Sequence, residues 1–193
     1  MIIYLTRHGE TELNKQHKFY GAMDVDLDDK GYEQAQELAD KLADCQFQVV
    51  ISSTLKRAVA TTEVILNNRH NIPWIKDPRL NEMDFGAWEG ADADQIEAEF
   101  PVEWQAWLDD TFGYVPPKAE GFKNFKHRVF SSLDEIVSKY GNQSILIVAH
   151  QGVLRLIHQY FDSDSSFYDD NFKAGYYSVI NTNNGELSFE SNL

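Results

Sequence analysis

Short apolar runs recur along the chain at wide intervals. Ile2–Leu5, Phe47–Ile51 and Ile145–Ala149 are continuous and rich in Val and Ile, which is typical of strands covered on both faces in parallel sheets. A weaker fourth run, Tyr176–Ile180, precedes an Asn-Asn-Gly turn and the run Glu186–Glu190, and these predict a hairpin. The chain is therefore expected to build a sheet from segments that are distant in sequence.

Apolar residues at helical spacing lie between these runs. Gly31–Ala43 repeats them after two candidate N-cap residues, Asp28 and Asp29. Three further stripes with the same period are Leu55–Leu66, Phe122–Tyr140 and Val153–Phe161. Strands that alternate with helices predict an α/β fold, here a three-layer α/β/α sandwich around a mostly parallel sheet.

Residues 91–117 break the alternation of strands and helices. The segment is acidic, it contains Trp104 and Trp107 among its aromatic residues, and it ends in two adjacent prolines. We expect it to form a small helical, lid-like insertion packed over the carboxyl ends of the strands. The chain contains no internal repeat and no linker, so residues 1–193 are expected to form a single domain.

The formal net charge of the 193-residue chain is −14 at pH 7. Nucleic acids and anionic membrane surfaces are bound through cationic contacts, so this chain is expected to bind neither. Cys45 is the one cysteine, which excludes a disulfide framework within the chain. Met1 leads directly into an apolar run without a basic leader segment, and no stretch is long enough to span a bilayer. We therefore expect a cytoplasmic protein.

Polar side chains of similar chemistry follow three of the predicted strands. The first strand ends in Arg7 and His8. The second is followed by Arg57 within the first turns of a helix, and the third ends in His150. Ligands of open parallel α/β sheets bind outside the carboxyl ends of the strands, so these side chains are expected to converge. Helix N-termini at the same edge add backbone N–H donors, and the combination suits a phosphoryl group.

The other histidines have no comparable context and are expected to be structural or exposed: His17, His70, His127 and His158. The sequence has no HExxH pattern and no cluster of cysteines, so we expect no metal ion and no cofactor. A phosphoryl group can instead be held by arginine, whose planar guanidinium offers paired donors in a fixed geometry.

Four segments resemble the motifs of the histidine phosphatase superfamily, in its phosphoglycerate-mutase-like branch, and they occur in the same order. They are LTRHGETELN (residues 5–14), SSTLKRAVATT (52–62), LNEMDFGAWEG (80–90) and IVAHQGVLR (147–155). The chain departs from the family at Thr62, where alanine is usual, and at Gln151, where glycine is common. It also has Glu120-Gly-Phe where the family often has Gly-Glu-Ser, which weakens a substrate role for Glu120.

The resemblance implies a role for each matching side chain. His8 is the nucleophile that forms a phosphohistidine, and Glu82 is the acid that protonates the leaving oxygen, with Asp84 as its nearest rival. The implied phosphate-binding residues are Arg7, Arg57, His150 and Asn14, and the implied substrate-binding residues are Tyr20, Gly21 and Gln151. An imidazole attacks only when its reacting nitrogen is unprotonated. We therefore expect the two arginines to lower the pKa of His8, and a nearby backbone carbonyl to hold its other nitrogen.

The family contains phosphatases and mutases, and the segment after the third motif separates them. From Ala91 to Phe122 this chain has eight acidic residues and one basic residue, Lys118, whereas the mutases carry lysine and paired arginines there. A second anion would be repelled, so we expect a metal-independent phosphomonoesterase that acts on a small phosphorylated metabolite. A phosphoglycerate-mutase-type phosphoryl transferase and a catalytically inactive phospho-ligand-binding protein remain as alternatives.

The leaving group stays open, because α-ribazole phosphate, sugar phosphates, nucleotides and phosphoglycerate all fit the motifs. The aromatic residues of the insertion either face a nonpolar or ring-bearing leaving group or pack the insertion onto the domain, and packing is the favoured interpretation for most of them. An exposed sheet edge near Tyr176–Ile180 would allow a homodimer to form.

Overall fold

The computed structural model describes residues 1–183 and 185–189. In this part of the chain one mixed sheet contains six strands: β1 (Ile2–Arg7), β2 (Val49–Ser52), β3 (Trp74–Lys76), β4 (Ser144–Ala149), β5 (Tyr177–Asn181) and β6 (Glu186–Phe189). Their order across the sheet is β3-β2-β4-β1-β5-β6. The first four run parallel, while β5 is antiparallel to both β1 and β6. The predicted mostly parallel sheet is confirmed.

The same residues form helices that alternate with the strands. They are α1 (Glu12–Lys15), α2 (Asp29–Lys41), α3 (Lys56–Leu66), α4 (Ala93–Glu99), α5 (Pro101–Asp109), α6 (Phe122–Tyr140) and α7 (Gln151–Phe161). The predicted cap Asp28 accepts a hydrogen bond from the backbone N–H of Gly31 at 2.7 Å, which fixes the start of α2. Among the helices of residues 1–183 and 185–189, none has the length and apolar content needed to cross a bilayer.

Side chains of the central strands alternate between two apolar layers. Ile145 and Ile147 of β4 belong to a core cluster with residues of α6 and α7. The intervening Leu146 and Val148 belong to a second cluster with residues of α2 and α3. Because successive side chains of a strand point to opposite faces, this alternation places two helices on each side of the sheet. The predicted three-layer sandwich is therefore confirmed.

The register of the central strands aligns their carboxyl ends. Arg7, the last residue of β1, pairs with Ala149, the last residue of β4. Ser52, the last residue of β2, pairs with Val148 of β4. The backbone N–H of His8 then donates to the carbonyl of Ala149 at 3.1 Å. The residues that follow these three strands therefore emerge side by side at one edge of the sheet.

The structure corrects the sequence prediction at the sides of the sheet. The prediction missed β3, whose three side chains are partly or largely exposed to solvent. It also treated Tyr176–Ile180 as an exposed edge, but β5 is paired on both sides, so that part of the dimer argument is wrong. β2 begins at Val49 rather than at Phe47. The last residue of the predicted hairpin, Glu190, lies outside the described residues.

The segment 91–117 forms α4 and α5 and then a series of turns. Phe19 packs edge-on against Trp104 and Trp107, with ring centroids 5.8 and 5.9 Å away. Trp104 and Trp107 stack on each other at 5.2 Å. These two tryptophans therefore attach the helices to the segment that follows α1, which is the packing role favoured by the sequence.

Candidate active site

A cavity of about 480 Å³, called here the catalytic pocket, opens at the carboxyl ends of β1, β2 and β4. β1 leads into His8, β4 leads into His150, and the first turn of α3 presents Arg57. The residues that line the pocket are Arg7, His8, Asn14, His17, Lys18, Phe19, Tyr20, Arg57, Glu82, Phe85 and His150. The strand-end side chains therefore lie together, as the sequence analysis expects.

His8 is held with one ring nitrogen free. Its side chain is 3% exposed, and its Nδ1 lies 2.7 Å from the carbonyl oxygen of Gly9. A carbonyl only accepts, so Nδ1 carries the proton and Nε2 keeps its lone pair. Burial lowers the pKa of His8 well below the ordinary value of 6.5, and Arg57 and Arg7 lower it further. The neutral imidazole is the form that can attack phosphorus.

Arg57 is fixed by the loop of residues 20–23. The guanidinium is 1% exposed, and it donates to the carbonyls of Gly21 at 2.7 Å and Met23 at 2.8 Å. It also lies over the ring of Tyr20, 4.6 Å from the centroid. Gly21 is required there because a Cβ atom would lie 1.6 Å from the carbonyl oxygen of Met83. Gly21, predicted to bind substrate, thus contacts Arg57 and does not line the pocket.

Glu89 holds the same loop through hydrogen bonds to its backbone. Its carboxylate accepts hydrogen bonds from the backbone N–H groups of Gly21, Ala22 and Met23 at 2.8, 3.1 and 2.9 Å. It accepts a fourth from Phe85 at 2.9 Å. The sequence analysis missed this residue, although it lies in the third motif. Glu89 joins the loop that positions Arg57 to the segment that carries Glu82.

His150 takes part in a chain of side-chain hydrogen bonds. Its Nδ1 accepts from the Nε of Arg57 at 3.3 Å, and its Nε2 lies 2.8 Å from the hydroxyl of Ser53. Ser53 donates its own proton to Asn81 at 2.8 Å, so it accepts from His150. Burial, followed by Arg57, lowers the pKa of His150 well below 6.5. The ring of His150 lies 5.0 Å from that of His8.

The carboxylate of Glu82 reaches the pocket between the start of α7 and the turn that follows Glu82. Its Oε2 accepts from the backbone N–H of Gly152 at 2.9 Å, and its Oε1 accepts from that of Met83 at 3.0 Å. The rival acid Asp84 instead accepts from Gly86 at 2.7 Å and does not line the pocket. The geometry therefore favours Glu82 over Asp84 as the acid.

Arg128 supports the segment that carries Glu82. Its guanidinium donates to the carbonyls of Arg79, Asn81 and Glu82 at 2.6 to 2.9 Å. It also makes a bidentate ion pair with Glu120, at 2.7 and 2.8 Å. Glu120 is thus committed to Arg128, in keeping with the doubt that its sequence context raised.

The remaining predicted residues have different environments. Asn14 lines the pocket, and its Oδ1 accepts from Thr11 at 3.2 Å. Tyr20 lines the pocket and bonds through its hydroxyl to Thr11 at 2.7 Å. Gln151 does not line it, because its side chain bonds to the backbone of Asp170 and Phe172. His17, expected to be structural or exposed, is exposed but contributes to the pocket lining.

Arg7 supplies a donor that lacks a protein partner. Its Nε is buried and has no hydrogen bond within the described part of the chain. Buried polar groups are almost always hydrogen-bonded, and a buried N–H donor without an acceptor is unfavourable. An anion in the pocket would provide the missing acceptor.

The sequence profile of the histidine phosphatase superfamily (branch 1) matches residues 3–191. The chain belongs to this superfamily. As a histidine phosphatase it is 36% identical to the adenosylcobalamin/alpha-ribazole phosphatase of Escherichia coli (strain K12) over 157 residues, which cover 81% of this chain and 77% of that protein. It is 29% identical to phosphoserine phosphatase 1 of Hydrogenobacter thermophilus, over 81% of this chain and 74% of the relative.

Solved structures of histidine phosphatases have the same fold. The alpha-ribazole phosphatase from Shigella flexneri superposes with a TM-score of 0.89 at 34% identity, covering 98% of this chain and 95% of that one. The family match and the phosphatase relatives identify the chain as a phosphatase, the activity that its motifs predict. Among the described residues of this histidine phosphatase, no group of three or more His, Cys, Asp or Glu side chains could hold a metal ion.

The buried histidines predict how the stability of this histidine phosphatase depends on pH. The pKa values of His8 and His150 lie below 6.5 in the folded protein, so the unfolded chain binds more protons as pH falls below 6.5. The free energy of unfolding should therefore fall from pH 6.5 to 5, by up to about 1.4 kcal/mol per pH unit for each histidine. Urea unfolding at several pH values measures this slope.

Histidine variants provide the control for the pH slope. His8→Asn and His150→Asn should each reduce it, whereas replacement of the exposed His127 by asparagine should leave it as in the wild type. A wild-type stability that is constant between pH 6.5 and 5 would contradict the prediction.

Gly152 provides a second prediction, because a Cβ atom at this position would lie 2.6 Å from Oε1 of Glu82. The obstructed atom is the end of a flexible side chain, so Gly152→Ala should fold and turn Glu82 away. We expect kcat on an alkyl phosphate to fall roughly 10- to 100-fold, part of the full contribution of an acid. Steady-state kinetics measures this change. Gly121→Ala, whose Cβ meets only the Val115 side chain, should keep wild-type kcat, and equal losses in both variants would contradict the prediction.

Proposed function

We propose that this chain is a metal-independent phosphomonoesterase that transfers the phosphoryl group of a small phosphorylated metabolite to Nε2 of His8 and then to water. The observation that carries the proposal is the state of His8. Its Nδ1 is hydrogen-bonded to the carbonyl of Gly9 at 2.7 Å, which leaves Nε2 as a base close to the guanidinium groups of Arg57 and Arg7. The chain as a whole is anionic, so the local concentration of arginine is what attracts a phosphate.

In the first half-reaction the phosphoryl oxygens are bound by Arg7, Arg57 and Asn14, and by His150, whose Nε2–H turns from Ser53 to a phosphoryl oxygen. Nε2 of His8 forms a bond to phosphorus as the bond from phosphorus to the leaving oxygen breaks. Glu82 gives its proton to that oxygen, and an alcohol leaves. Phosphoryl transfer depends mainly on positioning and charge stabilisation, which two arginines and a histidine supply.

In the second half-reaction a water molecule takes the place of the departed alcohol. The carboxylate of Glu82 accepts a proton from the water, whose oxygen forms a bond to phosphorus while the bond from phosphorus to His8 breaks. Inorganic phosphate is released, and both His8 and the protonated Glu82 are restored. One group thus serves as acid and then as base, which is consistent with its position at the pocket wall.

The acidic insertion supports a phosphatase over the mutase alternative. Residues 91–122 contain eight acids and one base, Lys118, so the segment offers little attraction to a second phosphate or carboxylate. The inactive, binding-only alternative lacks support for a different reason. His8, Glu82 and His150 are all present and all line one pocket.

We also propose that residues 91–117 act as a lid over the pocket of a single-domain protein. The packing of Trp104 and Trp107 on Phe19, itself a pocket residue, supports a mechanical connection between them. A second contact joins Lys18 at the pocket rim to Asp92 at the start of α4, at 2.7 Å. The single cysteine supports a cytoplasmic location.

The proposal is tested by hydrolysis assays in excess EDTA. The substrates are p-nitrophenyl phosphate, alkyl phosphates and 3-phosphoglycerate. We expect release of inorganic phosphate at a rate that EDTA does not change, and an acid-labile, alkali-stable phosphoenzyme after rapid quenching. Loss of activity in EDTA would overturn metal independence. Interconversion of phosphoglycerates without phosphate release would favour the mutase, and no turnover of any substrate would favour the binding-only alternative.

A further inference from the structure

A second cavity, of about 260 Å³, adjoins the catalytic pocket. We call it the aromatic chamber. It shares Phe19, Tyr20, Glu82 and Phe85 with the catalytic pocket, so the two spaces lie side by side. Its other lining residues are Met83, Trp107, Thr111, Phe112, Phe122, Phe125, Gln151, Gly152, Arg155, Phe167 and Tyr168. Glu82, the residue proposed as the acid, therefore lies at the boundary between the two spaces.

Aromatic rings from three separate parts of the chain make the outer wall of the chamber. Phe112 lies 4.5 Å from Phe122 and 5.6 Å from Tyr168, measured between ring centroids. Phe167 lies 5.1 Å from Phe122. Tyr168 is 54% exposed and Phe112 is 43% exposed, although both are large rings. Partly open rings at this spacing offer faces and edges on which another ring could stack.

Arg155 of α7 is the cation among the described residues that line the chamber. Its guanidinium lies 5.4 Å from the ring centroids of both Phe167 and Tyr168. Its Nε donates to the carbonyl of Asp170 at 2.9 Å. The guanidinium of Arg155 therefore lies against these two rings and is hydrogen-bonded to the segment that carries them.

The segment that carries Phe167 and Tyr168 is fastened to α7 at several points. We call residues 165–172 the strap. The amide of Gln151 donates to the carbonyl of Asp170 at 3.0 Å and accepts from the N–H of Phe172 at 3.1 Å. His158 adds a short hydrogen bond to the carboxylate of Asp170. Gln151 directly follows His150, so one helix positions both a histidine of the catalytic pocket and the wall of the chamber.

We propose that the aromatic chamber binds the leaving group of the substrate, and that this group is a planar ring system without a negative charge of its own. We further propose that Gln151 is a positioning residue that sets the chamber wall through the strap. Both statements rest on the proposed function. The position of Glu82 assigns the chamber to the leaving group. Glu82 lines both spaces, and the acid that protonates the leaving oxygen must lie beside the leaving group.

The charge of the surroundings selects an uncharged ring. The insertion that supplies Trp107, Thr111 and Phe112 to the chamber is acidic, so an anionic leaving group would meet repulsion there. Aromatic side chains attract the face or the edge of a neutral ring, and a guanidinium attracts its face. The glycine that the family often has in place of Gln151 could not make either side-chain bond to the strap.

The test compares 1-naphthyl phosphate with glycerol phosphate in the full-length protein, using kcat and KM for each. Tyr168→Ala should raise KM for the naphthyl ester about fivefold to tenfold, the range expected for loss of one aromatic contact. Its effect on glycerol phosphate should be less than twofold. Tyr32→Ala, which removes a similarly exposed tyrosine from α2, is the matched control and should alter neither ester selectively.

Gln151 variants test the positioning role. Gln151→Ala should raise KM for the naphthyl ester with little change in its kcat, because the strap is displaced while His8 and Glu82 stay in place. Gln151→Glu keeps the acceptor for Phe172 and should restore part of the affinity. Thermal unfolding of each variant verifies folding, and the Tyr168 variant remains informative if Gln151→Ala does not fold.

The outcomes separate the two proposals. If wild type hydrolyses both esters but Tyr168→Ala loses equally on both, the chamber proposal is overturned and the phosphatase function stands. The leaving group of phosphoserine carries a carboxylate. If the wild type prefers phosphoserine to the naphthyl ester, and Arg155→Gln abolishes this preference, the chamber binds an anionic group instead. If wild type hydrolyses none of the three, the proposed function itself fails.

Discussion

Replacement of His8 by alanine is expected to reduce kcat by at least about 10³-fold on every phosphate ester, because His8 is the group proposed to take the phosphoryl group. The effect should be in kcat rather than in KM, since Arg7 and Arg57 still bind the phosphate. The protein should also stop forming the acid-labile phosphoenzyme. Rapid-quench measurements with a radiolabelled substrate report both the amount and the stability of that intermediate.

Two controls make the His8 experiment decisive. His127→Ala removes an exposed histidine and should keep wild-type kcat. Binding of inorganic phosphate to His8→Ala, measured by calorimetry, should remain detectable because the arginines are intact. Activity of His8→Ala equal to that of the wild type would refute His8 as the nucleophile.

Replacement of Glu82 by glutamine is expected to reduce kcat about 10²- to 10⁴-fold on alkyl phosphates, the usual contribution of a general acid. An alkoxide cannot leave readily without a proton. A p-nitrophenolate ion can, so for p-nitrophenyl phosphate the first step should slow by less than about tenfold. The amide has one oxygen, so it can accept one of the two hydrogen bonds from Gly152 and Met83, which keeps one anchor of the side chain.

The leaving-group dependence separates an acid from a residue that only maintains structure. A structural defect would slow both classes of ester by the same factor. Asp84→Asn is the matched control, because Asp84 accepts a hydrogen bond from Gly86 that asparagine can also accept. We expect less than a threefold change for that variant on either ester. A larger loss in Asp84→Asn than in Glu82→Gln would reverse the assignment of the acid.

Most regular elements of this fold follow from apolar periodicity, and the reasons for the exceptions are physical. The central strands are buried on both faces, so their sequences are continuously apolar and easily read. β3 escaped detection because it is three residues long and only partly buried, which leaves no periodic signal. The order β3-β2-β4-β1-β5-β6 also could not be read, because pairing depends on contacts between distant segments.

The motifs predicted the members of the catalytic pocket better than the groups that hold them. Arg7, His8, Arg57 and His150 are placed by strand ends, which a sequence reveals. Glu89 acts by accepting hydrogen bonds from backbone N–H groups, and Gly152 acts by leaving space for the Glu82 side chain. Both effects depend on segments that meet only in the folded protein. The expected lowering of the pKa of His8 by the arginines has the right sign, but burial is the larger cause, and burial of a polar residue leaves no pattern in the sequence.

For Gln151 the sequence identified the residue but not the contacts of its side chain. The sequence marked it as a departure from the family, and the resemblance implied that it binds substrate. Its side chain instead reaches Asp170 and Phe172, about twenty positions further along the chain. Side-chain partners at such separation are set by the path of the loop after α7, which carries no regular pattern.

The hydrogen bonds that fix Arg57 have a thermodynamic consequence. A free arginine side chain gives up roughly 1.5–2 kcal/mol of rotamer entropy when it is immobilised. Arg57 is immobilised by the carbonyls of Gly21 and Met23, which belong to the chain itself. That entropy is therefore lost once, during folding, and not again at each encounter with a substrate. In the proposed function this cation is preorganised for a phosphoryl group, so its affinity for that group should not depend on which alcohol is attached.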